Sequence, residues 1–375
     1  MQATAVAWEM THVSDASYMV ALVQTATFLP VMLLSLPAGA VADMVDRRRV
    51  GLAGLSIMLL SAAALTSVMM LHSYVGPWLL LLLCMLMGVG VAIITPAWQA
   101  SIRELVRPDQ LPSAVALSSV SSNVARSVGP AVGGLVVATL GSAVTFGVSA
   151  LLYLPMAVVW YHSKRMQTVP TSRAERIDRA IMGGVRFVLH SSPARTTVLR
   201  TFVSSLAGVS MIALAPLVAK RLLAGGPLIY GLLLGAYGAG SIFGATLVTP
   251  LRMRISTEAT VRWMAIVAGF AIVTIGLSRF LPITLAGFFV AGGAWMVQSS
   301  IFNVAAQLSA PSWVNARVLG CWSTSITAGV SLGAWMWGQV ADEFGISAAY
   351  VLSGLVVALT ASVGRWLPMQ QEMHR

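Results

Sequence analysis

The sequence predicts an all-α polytopic membrane protein, and three observations carry that prediction. Of its 375 residues 57% are hydrophobic and only 9% charged, whereas soluble domains carry about 25% charged residues. Runs of 18 or more apolar residues recur along the whole length, and about 20 residues cross the roughly 30 Å of hydrocarbon in a bilayer. The few charges gather between those runs, most densely at Asp43, Asp46, Arg47, Arg48 and Arg49.

Apolar runs predict helices at 18–42, 51–71, 77–101, 112–139 and 142–161. A second block follows at 201–219, 228–250, 258–278, 281–306, 314–341 and 346–365, for eleven full spans. Lys and Arg orient them, because basic residues concentrate in cytoplasmic loops. With the 43–49 loop inside, Arg47, Arg48, Arg49, Arg103 and Arg107 fall inside. So do the eight basic residues from Lys164 to Arg200, and Arg252, Arg254, Arg262, Arg317, Arg365 and Arg375, making 19 of 23. Lys220, Arg221 and Arg279 fall outside, and Arg126 lies within a span. The 18–42 helix then runs from outside to inside, so the ten residues MQATAVAWEM supply about half of a preceding span. They carry neither the basic n-region nor the cleavage site of a signal peptide. The expectation is a first helix that is N-terminally truncated, within a plan of twelve.

Three units are predicted: an N-terminal bundle at 1–161, a cytoplasmic linker at 162–200 and a C-terminal bundle at 201–375. The linker is basic and polar, yet Ile177, Ile181, Val185, Val188 and Leu189 recur at helical spacing among Arg176, Arg179 and Arg186. That pattern describes an amphipathic helix on the inner membrane face; a solvated linker is the alternative.

Composition also excludes function classes. The net charge of +11 comes from 21 Arg and 2 Lys, scattered without the aromatic-interleaved stripe of a nucleic-acid surface. Cys84 and Cys321 stand alone in apolar runs, and the five histidines have no metal-ligand spacing. No GxxxxGK[ST] loop or nucleophile–base pair occurs. Neither a metal, a cofactor, ATP-driven pumping by this chain nor an enzyme activity is expected.

The two blocks partly superimpose. A shift of 204 places Gly129, Gly134 and Gly141 on Gly333, Gly338 and Gly345. A shift of 203 places Leu105 and Pro108 on Leu308 and Pro311, and one of 205 places Gly39, Arg47 and Arg49 on Gly244, Arg252 and Arg254. Same-sense repeats joined by a long inner loop suit a two-bundle secondary transporter.

Here the residues resemble a known family. Gly39-x-x-x-Asp43-x-x-Asp46-Arg47-Arg48-Arg49 is similar to the signature loop of the major facilitator superfamily. GPAVGG at 129–134, with Gly129, Pro130, Gly133 and Gly134, resembles the core of its antiporter motif. FLPVMLLSLPAGAVAD, ITPAWQASIREL and NVARSVGPAVGG resemble the enterobactin-exporter branch of bacterial efflux proteins. The resemblance covers nearly the whole chain and implies the major facilitator fold of two six-helix bundles. Three departures stand out: Ala125 four residues before Gly129, Val248 and Leu251 where Asp43 and Asp46 map, and Asn315-Ala316-Arg317 in place of an Arg-Gly-Arg.

Physical roles follow for the candidate residues. Gly39 lets a second helix approach closely, and Asp43 is suited to accept from the amide end of a facing helix. The resemblance implies that this loop is a latch stabilising an outward-facing state; the alternative is that its arginines only enforce topology. Arg126, near a span's centre, costs about 2.5–3.5 kcal/mol on insertion scales and so calls for a cavity and a partner. Glu9 is an acid in the outer half of the first span, and either sits at a wet rim or carries a proton facing Arg126. Gln24, Asn123, Gln298, Asn303 and Gln307 offer neutral polar contacts, and Trp98, Trp295, Trp322 and Trp335 offer aromatic walls.

The expectation is a monomeric, proton-coupled exporter of the bacterial cytoplasmic membrane, moving a small amphipathic molecule of siderophore or drug-like type. Protons, that substrate and the lipid bilayer are its partners, and nucleic acid is not. The alternatives are a facilitator-type importer and an inactive truncated product or scaffold.

Overall fold

In a lipid interior every backbone N–H and C=O must be satisfied within the segment itself, which leaves helices as the simplest spanning form. The computed structural model accordingly contains helices and no strand among the described residues, which are 1–44, 46–71, 75–107, 110–162 and 177–369. In order they are α1 (Gln2–Val13), α2 (Ser17–Met44), α3 (Arg47–Leu71), α4 (Pro77–Leu105), α5 (Leu111–His162), α6 (Ile177–His190) and α7 (Ser192–Gly208). Two one-turn pieces, α8 (Ser210–Ala213) and α9 (Ala215–Leu217), lead into a π turn at Val218–Leu222. The chain continues with α10 (Pro227–Arg254), α11 (Thr257–Leu277), α12 (Leu281–Leu308), α13 (Ser312–Phe344) and α14 (Ile346–Val363).

Among the described residues nine helices are long and apolar enough to cross a membrane. Two differences account for the eleven expected. The pair at 112–139 and 142–161 runs through as one stretch, and α13, rich in Ser, Thr, Trp and Gln, falls below the required hydropathy. Gly141 nevertheless breaks α5 into two arms, with φ 83° and ψ 169°. Gly345, 204 positions later, joins α13 to α14 with φ 88° and ψ 160°. Both angles lie where a Cβ is strained, so glycine is what lets the chain reverse there without a longer loop. The repeat is legible elsewhere too, since α4 ends on Leu105 and α12 on Leu308, the pair aligned by the shift of 203.

One boundary differs materially from expectation. The span predicted at 201–219 begins at Ser192, so the last nine residues assigned to the linker belong to a membrane helix. Ser191 stands at its N-cap position without a side-chain capping bond, and Pro193 fills its first turn, where a missing N–H costs nothing. That helix ends at Gly208 rather than 219. Pro216 has no N–H to offer the preceding turn, and the chain proceeds in short pieces to the π turn.

The core is divided unevenly. One large cluster runs through both halves, from Val6, Trp8, Met10, Val20 and Phe146 to Leu214, Tyr230, Phe288, Trp337 and Tyr350. Three smaller clusters stand apart from it: Val50, Leu55, Ala97 and Trp160; Val261, Val297, Ile301, Phe302 and Met369; and Val188, Ala194, Val314 and Val318.

Candidate transport pathway and its gating contacts

The seam between the halves is where a two-bundle protein does its work, and here it is built from α5 against α10 and α2 against α13. On the first pair the backbones touch. A Cβ on Gly231 would lie 2.9 Å from the Gly134 Cα and 3.1 Å from the Pro130 carbonyl oxygen, so no side chain fits between them. On the second pair Gly338 faces Tyr18, whose Cα would lie 2.9 Å from a Cβ there. Gly134 and Gly338 are repeat equivalents, and both sit at cross-half contacts.

Polar bonds close the same end. Asp342 Oδ1 accepts from the Ser17 amide at 2.8 Å, and Thr25 donates to the Ser331 carbonyl at 2.8 Å. Arg221 donates to Ser17 Oγ at 3.3 Å and to the Asp15 carbonyl, while Lys220 donates to the Thr11 carbonyl. Both basic residues ride on the π turn. Trp8 stacks on Tyr230 with ring centroids 6.3 Å apart. Toward the opposite end, Ser35 meets Thr324 across the seam at 3.5 Å.

The acid expected to carry a proton belongs to this closed end. Glu9 is half-buried and accepts a 2.7 Å hydrogen bond from Ser142 Oγ, within electrostatic reach of Lys220. Position 126 lies fifteen residues before the break at Gly141, about 22 Å of helical rise along the first arm of α5. The side chains of Gly39, Asp43, Asn123 and Arg126 lie outside the described residues.

At the other end, Asp46 and Arg48 of the signature loop bond within their own half. Asp46 Oδ1 accepts from the Arg48 amide at 2.9 Å and so caps α3. The Arg48 guanidinium stacks 5.0 Å from the centre of the Tyr161 ring, Arg47 is half-buried and Arg49 is exposed. Asp46 and Arg48 therefore do not reach across the seam in this structure. Gly129 and Gly133 lie against the start of the chain at Met1, while Pro130, Ala131 and Gly134 face Gly231 of the other half.

The neutral polar candidates are dispersed. Gln24 is half-buried beside Thr25 on the seam. Gln298 is buried instead inside the C-terminal half, in a small crevice with Arg200, Ser204, Val261 and Thr360. Asn303 accepts from Gln307 Nε2 at 2.6 Å, and the Gln307 carbonyl accepts from Asn315 at 2.6 Å. Trp322 donates to Thr201 Oγ1 at 3.2 Å, while Trp335 is exposed.

Sequence reasoning missed a buried ion pair. Arg200, 3% exposed, donates to both carboxylate oxygens of Glu258 at 2.6 and 3.3 Å. Arg262 Nε donates to the same carboxylate at 3.0 Å. The Met369 amide donates to Glu258 at 3.2 Å and the Leu367 carbonyl accepts from Arg200 at 3.1 Å, so residues 367–369 are tied to the pair. The Ser191–Ser192–Pro193 start signal was the clue that would have moved Arg200 into the membrane helix. Among the described residues no cluster of three His, Cys, Asp or Glu is placed to hold a metal.

The profile of the transmembrane secretion effector family matches residues 1–374. The chain belongs to that family. It is 26% identical over 378 residues to the multidrug efflux pump Tap of Mycolicibacterium fortuitum, covering 98% of this chain and 91% of that one. It is 24% identical over 363 residues to the staphyloferrin A transporter of Staphylococcus aureus, covering 92% and 86%. Among solved structures, the nucleoside transporter NupG superposes with a TM-score of 0.76 over 97% of this chain and 94% of that one, at 9% identity. That likeness shows the major facilitator fold alone; membership of the family makes the chain a multi-pass membrane protein of transporter type.

Proposed function

We propose that this chain is a monomeric secondary transporter of the bacterial cytoplasmic membrane. It exports small amphipathic molecules of drug-like or siderophore type in exchange for protons, as two bundles at 1–161 and 201–375, the second led in by the 192–200 part of α7. The observation that carries this reading is the division of the core. One apolar cluster bridges both halves at the end bearing Lys220 and Arg221, whereas each half has its own cluster at the end bearing most of the arginines. A protein that alternates access needs a seam that closes at one end while the other end is self-satisfied. Among the described residues the apolar clusters have that asymmetry, with the outer end shut. Asp46 and Arg48 bonding inside their own half fits the same state, because the 43–49 loop, Gly39 included, would engage the partner half only when the inner end closes. The named relatives, an efflux pump and a siderophore transporter, support the substrate class and direction.

Glu9 is the proposed proton carrier. It has one neutral donor, Ser142, and lies at the closing end, so its surroundings change as the seam opens. Arg126, Asn123, Gln24 and Asn303 are proposed to line the pathway for substrate. Expression in an efflux-deficient host should raise resistance to several amphipathic drugs or increase siderophore secretion. An unchanged profile across both panels would reject the export reading. In energised vesicles Glu9→Gln should abolish pH-gradient-driven export and spare counterflow exchange, since glutamine keeps the hydrogen bond but does not titrate. Undiminished gradient-driven export by Glu9→Gln would remove Glu9 as carrier and leave Asp43 as the next acid to test.

A further inference from the structure

The helix α6 has two apolar faces, and among the described residues only one of them is covered. Gly183, Gly184, Phe187 and Val188 meet the start of α13: a Cβ on Gly184 would lie 2.8 Å from Arg317 Cβ, and Val188 packs with Val314 and Val318. The other face presents Met182, Val185 and Leu189, which are 64%, 37% and 58% exposed. At 3.6 residues per turn these three fall within about 60° of one another. Positions 179, 186 and 190 follow along one edge of that stripe, and they hold Arg179, Arg186 and His190. The stretch 162–191 that precedes α7 carries six Lys and Arg (164, 165, 173, 176, 179, 186) against Glu175 and Asp178, a net charge of +4.

We infer that α6 seats its Met182–Val185–Leu189 stripe in an anionic phospholipid surface. Only Ser191 separates α6 from the membrane helix α7, which holds α6 at the mouth of the bilayer. An apolar stripe with a basic edge at that depth matches acyl chains on one side and anionic headgroups on the other. A soluble protein partner would explain the apolar stripe but gives no reason for the excess of arginine around it. Because the opposite face of α6 grips α13, and α13 forms the seam with α2, the lipid contact braces one inner end of the moving interface. The inference rests on the inward placement of 162–200 and on no assumption about substrate.

The test uses the full chain with Cys84 and Cys321 replaced by alanine and a single environment-sensitive fluorophore on Val185→Cys. It is reconstituted in phosphatidylcholine vesicles with or without phosphatidylglycerol. With phosphatidylglycerol the label should be quenched by a shallow lipid-borne nitroxide and shielded from aqueous iodide. Adding Arg186→Gln should lower the seated-to-free ratio about fivefold, equivalent to about 1 kcal/mol per basic residue near an anionic surface. A label on Phe187→Cys, on the covered face, should report neither quencher. Equal nitroxide quenching in both lipid mixtures would overturn the anionic preference. Iodide quenching of the Val185 label in both mixtures would overturn membrane seating and leave the stripe to another occupant. The readout contains no transport step, so its failure is separate from failure of the export reading.

Discussion

The two ends of the seam are fastened by different physics. At the outer end the halves share one apolar core and approach backbone to backbone at Gly134 and Gly231, with Asp342, Arg221 and Lys220 bonding across. At the inner end the described contacts of Asp46, Arg48, Arg200 and Glu258 lie within each half. The N-terminal half caps α3 with Asp46 and stacks Arg48 on Tyr161. The C-terminal half, where Val248 and Leu251 replace the acids of the repeat, uses a buried Arg200–Glu258 pair tied to residues 367–369. One repeat thus carries two inner fastenings, an exposed and rearrangeable one and a buried one. A buried pair is costly to break, because the abandoned charge has no water to turn to; a surface cap or stack exchanges readily with solvent. The difference assigns movement to the N-terminal loop and rigidity to the C-terminal bundle.

The largest expected effect tests that rigidity. Arg200→Met should destabilise the protein by about 3–5 kcal/mol, the range for stranding one member of a buried pair, read as a lowered Tm of the purified protein in detergent. Arg200→Met with Glu258→Leu should recover most of the loss, since an apolar replacement of both partners is often neutral. A single variant that melts like the parent would break the comparison. Gly364→Ala should resemble the single variant, because its Cβ would lie 1.7 Å from Glu258 Oε1.

A smaller effect belongs to the outer end. Gly231→Val should hold α5 and α10 apart, and overpacking of about 1–3 kcal/mol shifts the open–closed balance by about 5- to 150-fold. Transport should fall accordingly, with normal membrane abundance, and a cysteine pair at Tyr18 and Gly338 should cross-link more slowly. Unchanged cross-linking would show that the outer contact does not govern closure.

The smallest effect separates two acids in one loop. Asp46→Asn should leave both stability and transport near the parent, because asparagine caps a helix as well as aspartate does. Asp46→Ala should cost about 1 kcal/mol of stability, and Arg48→Ala about 0.5–1 kcal/mol for an exposed cation–π contact. Asp43→Asn should lower transport several-fold with little change in Tm. Equal transport by the two asparagine variants would reduce the loop to a topological signal.

Much of this protein was legible from local composition. The free energy of placing a segment in lipid is a sum over its own residues, so apolar length alone placed most spans, and the bias of Arg and Lys oriented them. The register of the glycines exposed the repeat, and Gly141 and Gly345 adopt matching backbone angles because each must reverse the chain at the same point. The one misplaced span shows the limit of that reasoning. Residues 191–200 read as an aqueous loop because Arg195 and Arg200 are charged, yet Arg200 is admitted to the bundle by Glu258, a partner 58 positions away. The sequence contains both residues but not their distance. The same holds for Gly134 against Gly231, Glu9 against Ser142, and Gln298, which turned out to sit inside one half. Pairings between distant segments, and the choice of which end of the seam is shut, depend on how whole helices pack. Only the tertiary structure decided those, because the cost of a charge or a missing side chain is set by what lies opposite it.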